Sequence, residues 1–588
     1  MNNILIGMAG HIDHGKTTFI EKMTNKNLDT LPEEKSRNMT IDIGFTDLDL
    51  DSDTKVGLVD VPGHEKFIKN MASGISGVNF VILIIAVDDG IMPQTIEHFE
   101  IIKLMNIKNG IVVLTKKDLV SKDRFIEVKK ECEKFFENSF FKGNIYSVDI
   151  NDRKTYDDIK KIILEKIKKS DNVNLNKSNF RMNVDRVFNV RGVGKILTGT
   201  ILTGEIFKND IKRIYPQNIE VRIKNIQNHG VDVNSLSSYK RCALNIATEK
   251  IEIKRGDIIA DFLYITDTLD VDFFLLPKIK KIKNNHRIRI NIGTKEVIGR
   301  VVIIGKNYIF GGEKCFAKLL LDEKIAVDFR DIGIVRDFSP VTTIGNIVVI
   351  NPNSKSKSRY YEKYIEMLNL LNVEDELEFL ENRVYYGKYE NFSEDNIQKL
   401  IANKKIILLD KKYITHRNFE ELSEKIEKYL IDFHRDNHLK LGEDKNILYN
   451  TFNLTGKDFE KFLELSDFKI DKEIVSLKNY KIKLTKEEKK IKEEIFSIYK
   501  NQKFDLKKFD RTIEHEEIFI KMHRYMVENN FIINLGNDYY ILSGFLKECN
   551  KILEEYFINN KELTISKFRE ILKINRNSAI ILLEYMAA

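Results

Sequence analysis

Short apolar runs, barely interrupted by polar residues, punctuate the first part of the chain. Ile4–Met8, Lys55–Val61, Phe80–Val87 and Gly110–Leu114 read as strands, and Ile145–Ser147 ends another. Near-continuous runs of this length mark strands buried on both faces of a parallel sheet. Thr18–Met23 starts a helix directly after a glycine-bearing turn. Together they predict a doubly wound α/β domain over 1–172. From 173 to 266 and from 267 to 353 the pattern changes to β-branched residues with turn signals and no long helical period, which predicts two β-barrels.

Beyond them Lys355–Leu371 predicts a linker helix. A unit then repeats: an amphipathic helix followed by a hairpin whose return strand carries a tyrosine. The predicted hairpins are Lys405–Thr415, Phe468–Leu484 and Phe531–Ser543, and their tyrosines, Tyr413, Tyr480 and Tyr540, lie 67 and 60 residues apart. Helical spacing is clear at Phe419, Leu422, Ile426 and Leu430. This repeat suits tandem winged helices: a linker helix and first module over 354–417, then modules over 418–484, 485–545 and 546–588. The repeat puts the last module's hairpin past Ala588, so that module is expected to be incomplete.

Hydrophobic residues make up 42% of the 588, enough for each domain to bury a core. No apolar run reaches the ~18 residues of a membrane span, and no signal peptide is expected ahead of Met1–Gly10. Cys132, Cys242, Cys315 and Cys549 are widely separated, which predicts neither a disulfide framework nor a zinc site. A cytoplasmic protein is expected. Net charge is +7, and its placement says more than its size. Residues 351–588 hold 42 basic and 42 acidic residues, whereas 271–300 hold eight basic and two acidic. The basic stripe reads either as a surface for a phosphate backbone or as a solvated face.

Gly10-His11-Ile12-Asp13-His14-Gly15-Lys16-Thr17 fits G-x-x-x-x-G-K-[ST] between the first strand and the helix opened by Thr18. In such a loop backbone N–H groups converge on phosphates, the lysine reaches the β/γ-phosphates and the hydroxyl of Thr17 binds Mg²⁺. Asp60, at a strand end, can hold the same ion, and Thr40 can add a second hydroxyl. Gly63 lets its N–H approach a γ-phosphate. Thr115-Lys116-Lys117-Asp118 ends the next strand but one, where the Asp118 carboxylate can accept the N1–H and N2–H that guanine has and adenine lacks. Ser147 falls near the base. Together these motifs predict a GTP site with Mg²⁺ as cofactor.

The pair Gly10–Thr17 and Asp60-Val61-Pro62-Gly63-His64 resembles the translation-factor GTPases. The resemblance implies that His64 positions the hydrolytic water and that the Ile12 position gates it, with Lys16 neutralising charge. Two positions depart from that family's pattern: Arg37-Asn38 stands where Arg-Gly precedes the switch threonine, and Thr115 replaces an asparagine. Phe180–Phe188, Gly192-Val193-Gly194, Thr198-Gly199-Thr200, Gln227–Gly230, Arg241–Ile246 and Arg255-Gly256-Asp257 resemble the second domain of the selenocysteine-specific elongation factor (SelB) family. His286, Gly293-Thr294, Glu296, Gly299-Arg300, Arg336 and Ser339-Pro340 resemble its third, where the glycine cluster usual after Ser-Pro is reduced to Gly345. That resemblance implies an aminoacyl pocket at Asp185, Arg186 and Arg241. A selenolate needs cationic donors, which arginines supply.

The resemblance also implies a monomeric, GTP-hydrolysing elongation factor. Its partners would be selenocysteinyl-tRNA, the ribosome and the selenocysteine insertion hairpin of an mRNA, met by Arg569, Arg576 and Asn577 in the last module, with no membrane involved. Two alternatives compete: a general elongation or initiation GTPase with an unusual tail, and a nucleic-acid-binding regulator that uses GTP only as a switch.

Overall fold

The computed structural model describes residues 4–25, 44–51, 54–60, 78–169, 179–192, 194–228, 230–247, 252–354, 362–390, 392–454, 456–509 and 517–587. The chain divides into two units, Met1–Lys404 and Lys405–Ala588.

The first unit opens with a six-stranded sheet: β1 (Leu5–Gly10), β2 (Gly44–Asp49), β3 (Lys55–Asp60), β4 (Phe80–Ala86), β5 (Gly110–Thr115) and β6 (Ile145–Ser147), in the order β2-β3-β1-β4-β5-β6. All pairings are parallel except the β2–β3 edge. β1, β4 and β5 are buried throughout, because alternate side chains enter two cores. Ile6, Met8, Ile82, Ile84 and Ile111 face Phe19, Ile20 and the helix Arg153–Lys169. Leu5, Ala9, Val81, Leu83 and Val112 face Phe99, Ile102, Val128 and Phe136 of the helices Pro93–Leu104 and Lys122–Phe135 and the turn after the second. This is the doubly wound arrangement expected of the apolar runs.

Two closed six-stranded barrels follow. The strands Arg181–Val190, Gly194–Thr203, Arg241–Ala247, Ile219–Asn228, Ile211–Tyr215 and Ile258–Ala260 pair in that cyclic order. Val184, Leu197, Ile223 and Leu244 fill the interior. The other barrel runs from Tyr264–Leu275 to Thr343–Asn351 around Val271, Ile290, Val301 and Leu319. Gly345 is not in a turn. It lies inside the strand Thr343–Asn351, where a Cβ would strike the backbone oxygen of Phe274, so the close pairing with the neighbouring strand requires glycine.

The helices Glu362–Leu371, Glu376–Tyr385 and Glu394–Ala402 belong to this first unit. The first is docked on the barrel rather than free as a linker, with Tyr364, Leu368 and Leu371 buried along one face. The fully buried Asp270 accepts from Lys318 Nζ at 3.0 Å, Asn351 Nδ2 at 2.8 Å and the Tyr364 hydroxyl. Nearby the guanidinium of Arg383 lies 4.0 Å from the Phe329 ring centre and 4.6 Å from that of Phe392. The unit boundary at Lys404 falls inside the span 354–417 expected to hold a linker helix and the first module.

In the second unit the hairpin Ile406–Leu408/Tyr413–Thr415 shares a core with the helices His416–Asp436, Lys445–Thr451 and Gly456–Leu465. The next core gathers Ile491 and Ile495 of the helix Lys486–Gln502, Met522 and Met526 of the helix Glu517–Glu528, and the hairpin Ile532–Gly536/Tyr539–Leu542. Alternation divides that hairpin between two cores. Ile532 and Leu542 face the core just named, while Ile533 and Ile541 face Phe568, Ala579 and Leu582 of the last helices. Ile581 and Leu583 are half-buried against the same cluster.

Tyr413 and Tyr540 lie in return strands as expected, but Tyr480 does not. Its strand ends at Ser476. The Tyr480 ring instead stacks on His434 with centres 3.5 Å apart, and its hydroxyl donates to the His438 carbonyl at 2.7 Å.

Candidate functional site

The loop between β1 and the helix Lys16–Thr24 folds as its glycines dictate. Gly10 sits at φ +143°, and a Cβ there would collide with the Ile84 backbone oxygen. Lys16 is buried, with Nζ 3.0 Å from the Gly10 carbonyl oxygen and 2.6 Å from that of His11. Burial pushes its ammonium down to about 8, against the upward pull of the Asp60 and Asp13 carboxylates. Thr17 Oγ1 lies 3.4 Å from Asp60 Oδ2 at the end of β3. The lysine, the hydroxyl and the carboxylate expected at the phosphates and the metal thus converge on one loop. Thr40, Gly63 and His64 lie outside the described residues.

The residues expected at the guanine base gather at the end of β5. Thr115 Oγ1 donates to the His14 carbonyl at 2.7 Å, tying the guanine segment to the phosphate loop across 101 residues. Lys116 adopts φ +56° and pairs with Asp88 beyond β4 at 2.9 Å. Asp118 is exposed on the turn Lys117–Leu119, and half-buried Ser147 ends the neighbouring β6. His14 is fully buried, edge-on to His11 at 5.0 Å, and burial pushes its imidazole down to about 3, so it is neutral.

Two supports of the loop carry no sequence motif. The Gly10 N–H donates to His98 Nδ1 at 3.0 Å, and the Ile12 N–H to Gln94 Oε1 at 3.4 Å. Both acceptors come from the helix Pro93–Leu104, 88 and 82 residues along the chain. Since Nδ1 accepts, His98 carries its proton on Nε2; complete burial pushes its pKa down to about 3. In sequence, position 98 reads as one more residue of a core-facing helix.

On the first barrel a β-bulge shapes the second cluster. The pairing of Arg181–Val190 with Gly194–Thr203 slips between Val184 and Arg186. Val184 and Val187 consequently both turn to the core, and Asp185 and Arg186 both fall on the outer face. Arg241, on the strand beyond, grips Asp185 with both terminal nitrogens, at 2.5 and 2.9 Å, and Thr198 Oγ1 donates to Asp185 at 2.9 Å. The Arg241 guanidinium also lies 3.5 Å from the centre of the Phe45 ring. Phe45 is on β2, one residue after Gly44, whose ladder partner is Asp60. The pocket candidates and the nucleotide loop therefore adjoin through one short strand.

Arg569, Arg576 and Asn577 are exposed on the last helices. Asn577 Nδ2 donates to the Tyr539 hydroxyl at 3.2 Å and Arg569 Nε to the Ile574 carbonyl at 3.5 Å. Among the described residues no helix is long and apolar enough to cross a membrane.

Comparison with known proteins agrees with this geometry. Residues 1–246 match the elongation factor Tu GTP binding domain, and residues 555–588 match the winged helix of elongation factor SelB. A selenocysteine-specific elongation factor from Desulfomicrobium baculatum is 27% identical over 99% of this chain and 97% of its own length. The Escherichia coli protein of that name is 31% identical over 62% of this chain and 58% of its own. A crystal structure of a bacterial selenocysteine-specific elongation factor, EF-Sec, covers 100% of this chain and 97% of its own, with TM-score 0.66 and 28% identity. With a phosphate loop on a doubly wound sheet, two barrels and a C-terminal winged helix, the chain carries the GTP-binding domain of the GTP-hydrolysing translation factors and is similar from end to end to the selenocysteine-specific elongation factors.

Proposed function

We propose that this chain binds GTP with Mg²⁺, carries selenocysteinyl-tRNA to the ribosome at a codon marked by an mRNA hairpin, and releases it on hydrolysis, acting as a cytoplasmic monomer. The proposed divisions are 1–172 for the GTPase domain, 173–266 and 267–353 for the barrels, and 354–417, 418–484, 485–545 and 546–588 for the modules beyond. The observation that carries the reading is the Asp185–Arg241 fork stacked on Phe45. A selenol is more acidic than a thiol or an alcohol, so selenocysteine presents an anion at neutral pH. A guanidinium mostly shielded from solvent, with Arg186 on the same face of the barrel, favours that anion over serine.

In the nucleotide loop Thr17 Oγ1 and Asp60 Oδ2 stand 3.4 Å apart. These are hard oxygen donors of the kind Mg²⁺ takes, with Thr40 as a third, and the ion supplies charge neutralisation to the β- and γ-phosphates. The backbone from Gly10 to Gly15 cradles the phosphates, with Asp13 inside that span and Thr18 just behind it. Lys16 adds its positive charge where negative charge spreads in the transition state. Thr115, Lys116, Asp118 and Ser147 hold the guanine. His64 orients the attacking water, with Ile12 beside it. Arg569, Arg576 and Asn577 present donors to RNA phosphates or to a splayed base.

Binding of selenocysteinyl-, seryl- and bulk aminoacyl-tRNA to the GTP form tests the reading. Selective binding of the first is expected. Equal binding of all three would favour a general elongation factor, and binding of none a regulator. His64→Ala should leave GTP affinity nearly unchanged while cutting ribosome-stimulated hydrolysis by orders of magnitude; unchanged turnover would remove His64 from the mechanism.

A further inference from the structure

The sheet of the GTPase domain ends at β6, which pairs with β5 alone. The Val112 N–H donates to the Asn144 carbonyl at 2.9 Å, and the Val148 N–H to the Leu114 carbonyl at 3.0 Å. Residues 144, 146 and 148 therefore turn their main-chain polar groups toward β5. The alternate residues, Ile145 and Ser147, turn theirs outward, and no strand lies on that side to meet them. Helices stand on both sides of this edge. Ile145 packs in one core with Phe125 of the helix Lys122–Phe135, and Tyr146 in the other with Ile162 of the helix Arg153–Lys169. Between the helices opens a groove of about 300 Å³, with β6 as its floor and Phe125, Lys129, Asp158 and Ile162 in its walls.

Both helices run back against the strand direction, as helices that follow parallel strands do. Phe125 then lies level with Asp158, and Lys129 with Ile162. Residues four apart on a helix are separated by about 6 Å along its axis, and residues two apart on a strand by about 6.6 Å. A strand added to β6 would thus set alternate side chains against Phe125 and Lys129, and the intervening ones against Ile162 and Asp158. We propose that this edge docks an extended peptide segment of a partner protein, joined to the sheet as a further strand, whose core reads acid, apolar, apolar, base. The acid meets Lys129, the two apolar residues meet Ile162 and Phe125, and the base meets Asp158. The present ties of the two charges, Lys129 to Glu133 at 4.0 Å and Asp158 to Lys161 at 3.4 Å, run along their own helices. Exposed pairs of this kind are worth little and exchange readily. Main-chain bonds to Ile145 and Ser147 supply attachment, and the groove supplies selectivity. An edge of three residues is too short to recruit strands unaided, so the fit of the side chains decides which segment binds.

The test is fluorescence anisotropy of a labelled, end-blocked hexapeptide titrated with the full chain. The probe is threonine-glutamate-isoleucine-isoleucine-arginine-threonine, with its reverse sequence alongside because strands add in both directions. One of the two should saturate below about 1 mM. N-methylation of alternate amides along one edge of that peptide should weaken binding roughly tenfold, the loss of main-chain bonds to β6. The same treatment of its other edge should leave binding within about twofold, since those amides face water. Asp158→Lys, at an exposed position outside the nucleotide site, should weaken the arginine peptide about threefold and favour one carrying glutamate in its place. Failure of both peptides to saturate, or equal losses from methylating either edge, would overturn strand addition. An unchanged charge preference in Asp158→Lys would overturn the assignment of the peptide to this groove.

Discussion

Arg241 lies face-on to Phe45, its guanidinium carbon 3.5 Å from the ring centre, while both its terminal nitrogens hold Asp185. A residue of the first barrel is thereby fixed from two sides, by its own barrel and by the GTPase strand β2. Arg241→Ala should weaken selenocysteinyl-tRNA far more than seryl-tRNA, by about 1.5–3 kcal/mol, since only the selenolate loses a charge-assisted partner. Arg241→Lys keeps the charge but neither the fork nor the stack, and should recover only part of the loss. Equal losses for both tRNAs in a binding titration would make Arg241 a purely structural residue.

Thr115 gives the guanine segment its tie to the loop. Thr115→Val deletes the hydroxyl that reaches the His14 carbonyl and keeps the shape, so GDP release should accelerate about two- to tenfold. Thr115→Asn retains a donor and should lie near the parent rate. A stopped-flow rate unchanged in Thr115→Val would show that the contact does not stabilise the bound state.

Asp118→Asn replaces an acceptor-only carboxylate with an amide that both donates and accepts. Base preference should pass from guanine to xanthine, read as competition between GTP and xanthosine triphosphate. A variant still selective for GTP would mean that another group reads the base.

The buried histidines set an acid limit. His14 and His98 titrate near 3 in the folded chain against an ordinary 6.5. Between these values the unfolded chain binds protons that the folded chain refuses, so stability is full above pH 6.5 and falls as pH drops toward 3. The slope is about 1.4 kcal/mol per pH unit for each histidine. His98→Asn should remove one such contribution and flatten the fall between pH 6.5 and 5. Urea unfolding followed by tyrosine fluorescence serves, as the chain has no tryptophan. An unaltered pH slope in His98→Asn would mean that His98 is protonated in the folded state.

The parts legible in the sequence are those whose chemistry is local. Gly10 to Thr17 are adjacent, and Asp60 and Asp118 follow apolar strands that announce themselves. Phe45, Gln94 and His98 escaped because their partners are distant in sequence, and because an aromatic or a histidine in an apolar stretch looks like packing. β2 itself was missed, as its residues mix Thr, Asp and Gly with apolar ones and it runs antiparallel at the sheet edge. The bulge that turns Asp185 and Arg186 outward is likewise a matter of pairing, which no single strand encodes. Tyr480 shared its neighbours' spacing but followed a shorter strand, and its ring found His434 instead.

The docking of Tyr364 on Asp270 has a practical consequence for dissecting the chain. A fragment cut at Asn353, where the second barrel ends, would take Ser354 and Tyr364 from a carboxylate sealed in the protein and would lay bare Phe329 beneath the lost Arg383 and Phe379. A buried carboxylate left with only Lys318 and Asn351 as donors, and an uncovered aromatic, both invite aggregation. A cut after Lys404, where the first unit ends, keeps all of these contacts, so activities measured on the shorter piece would describe a barrel that has lost part of its cover.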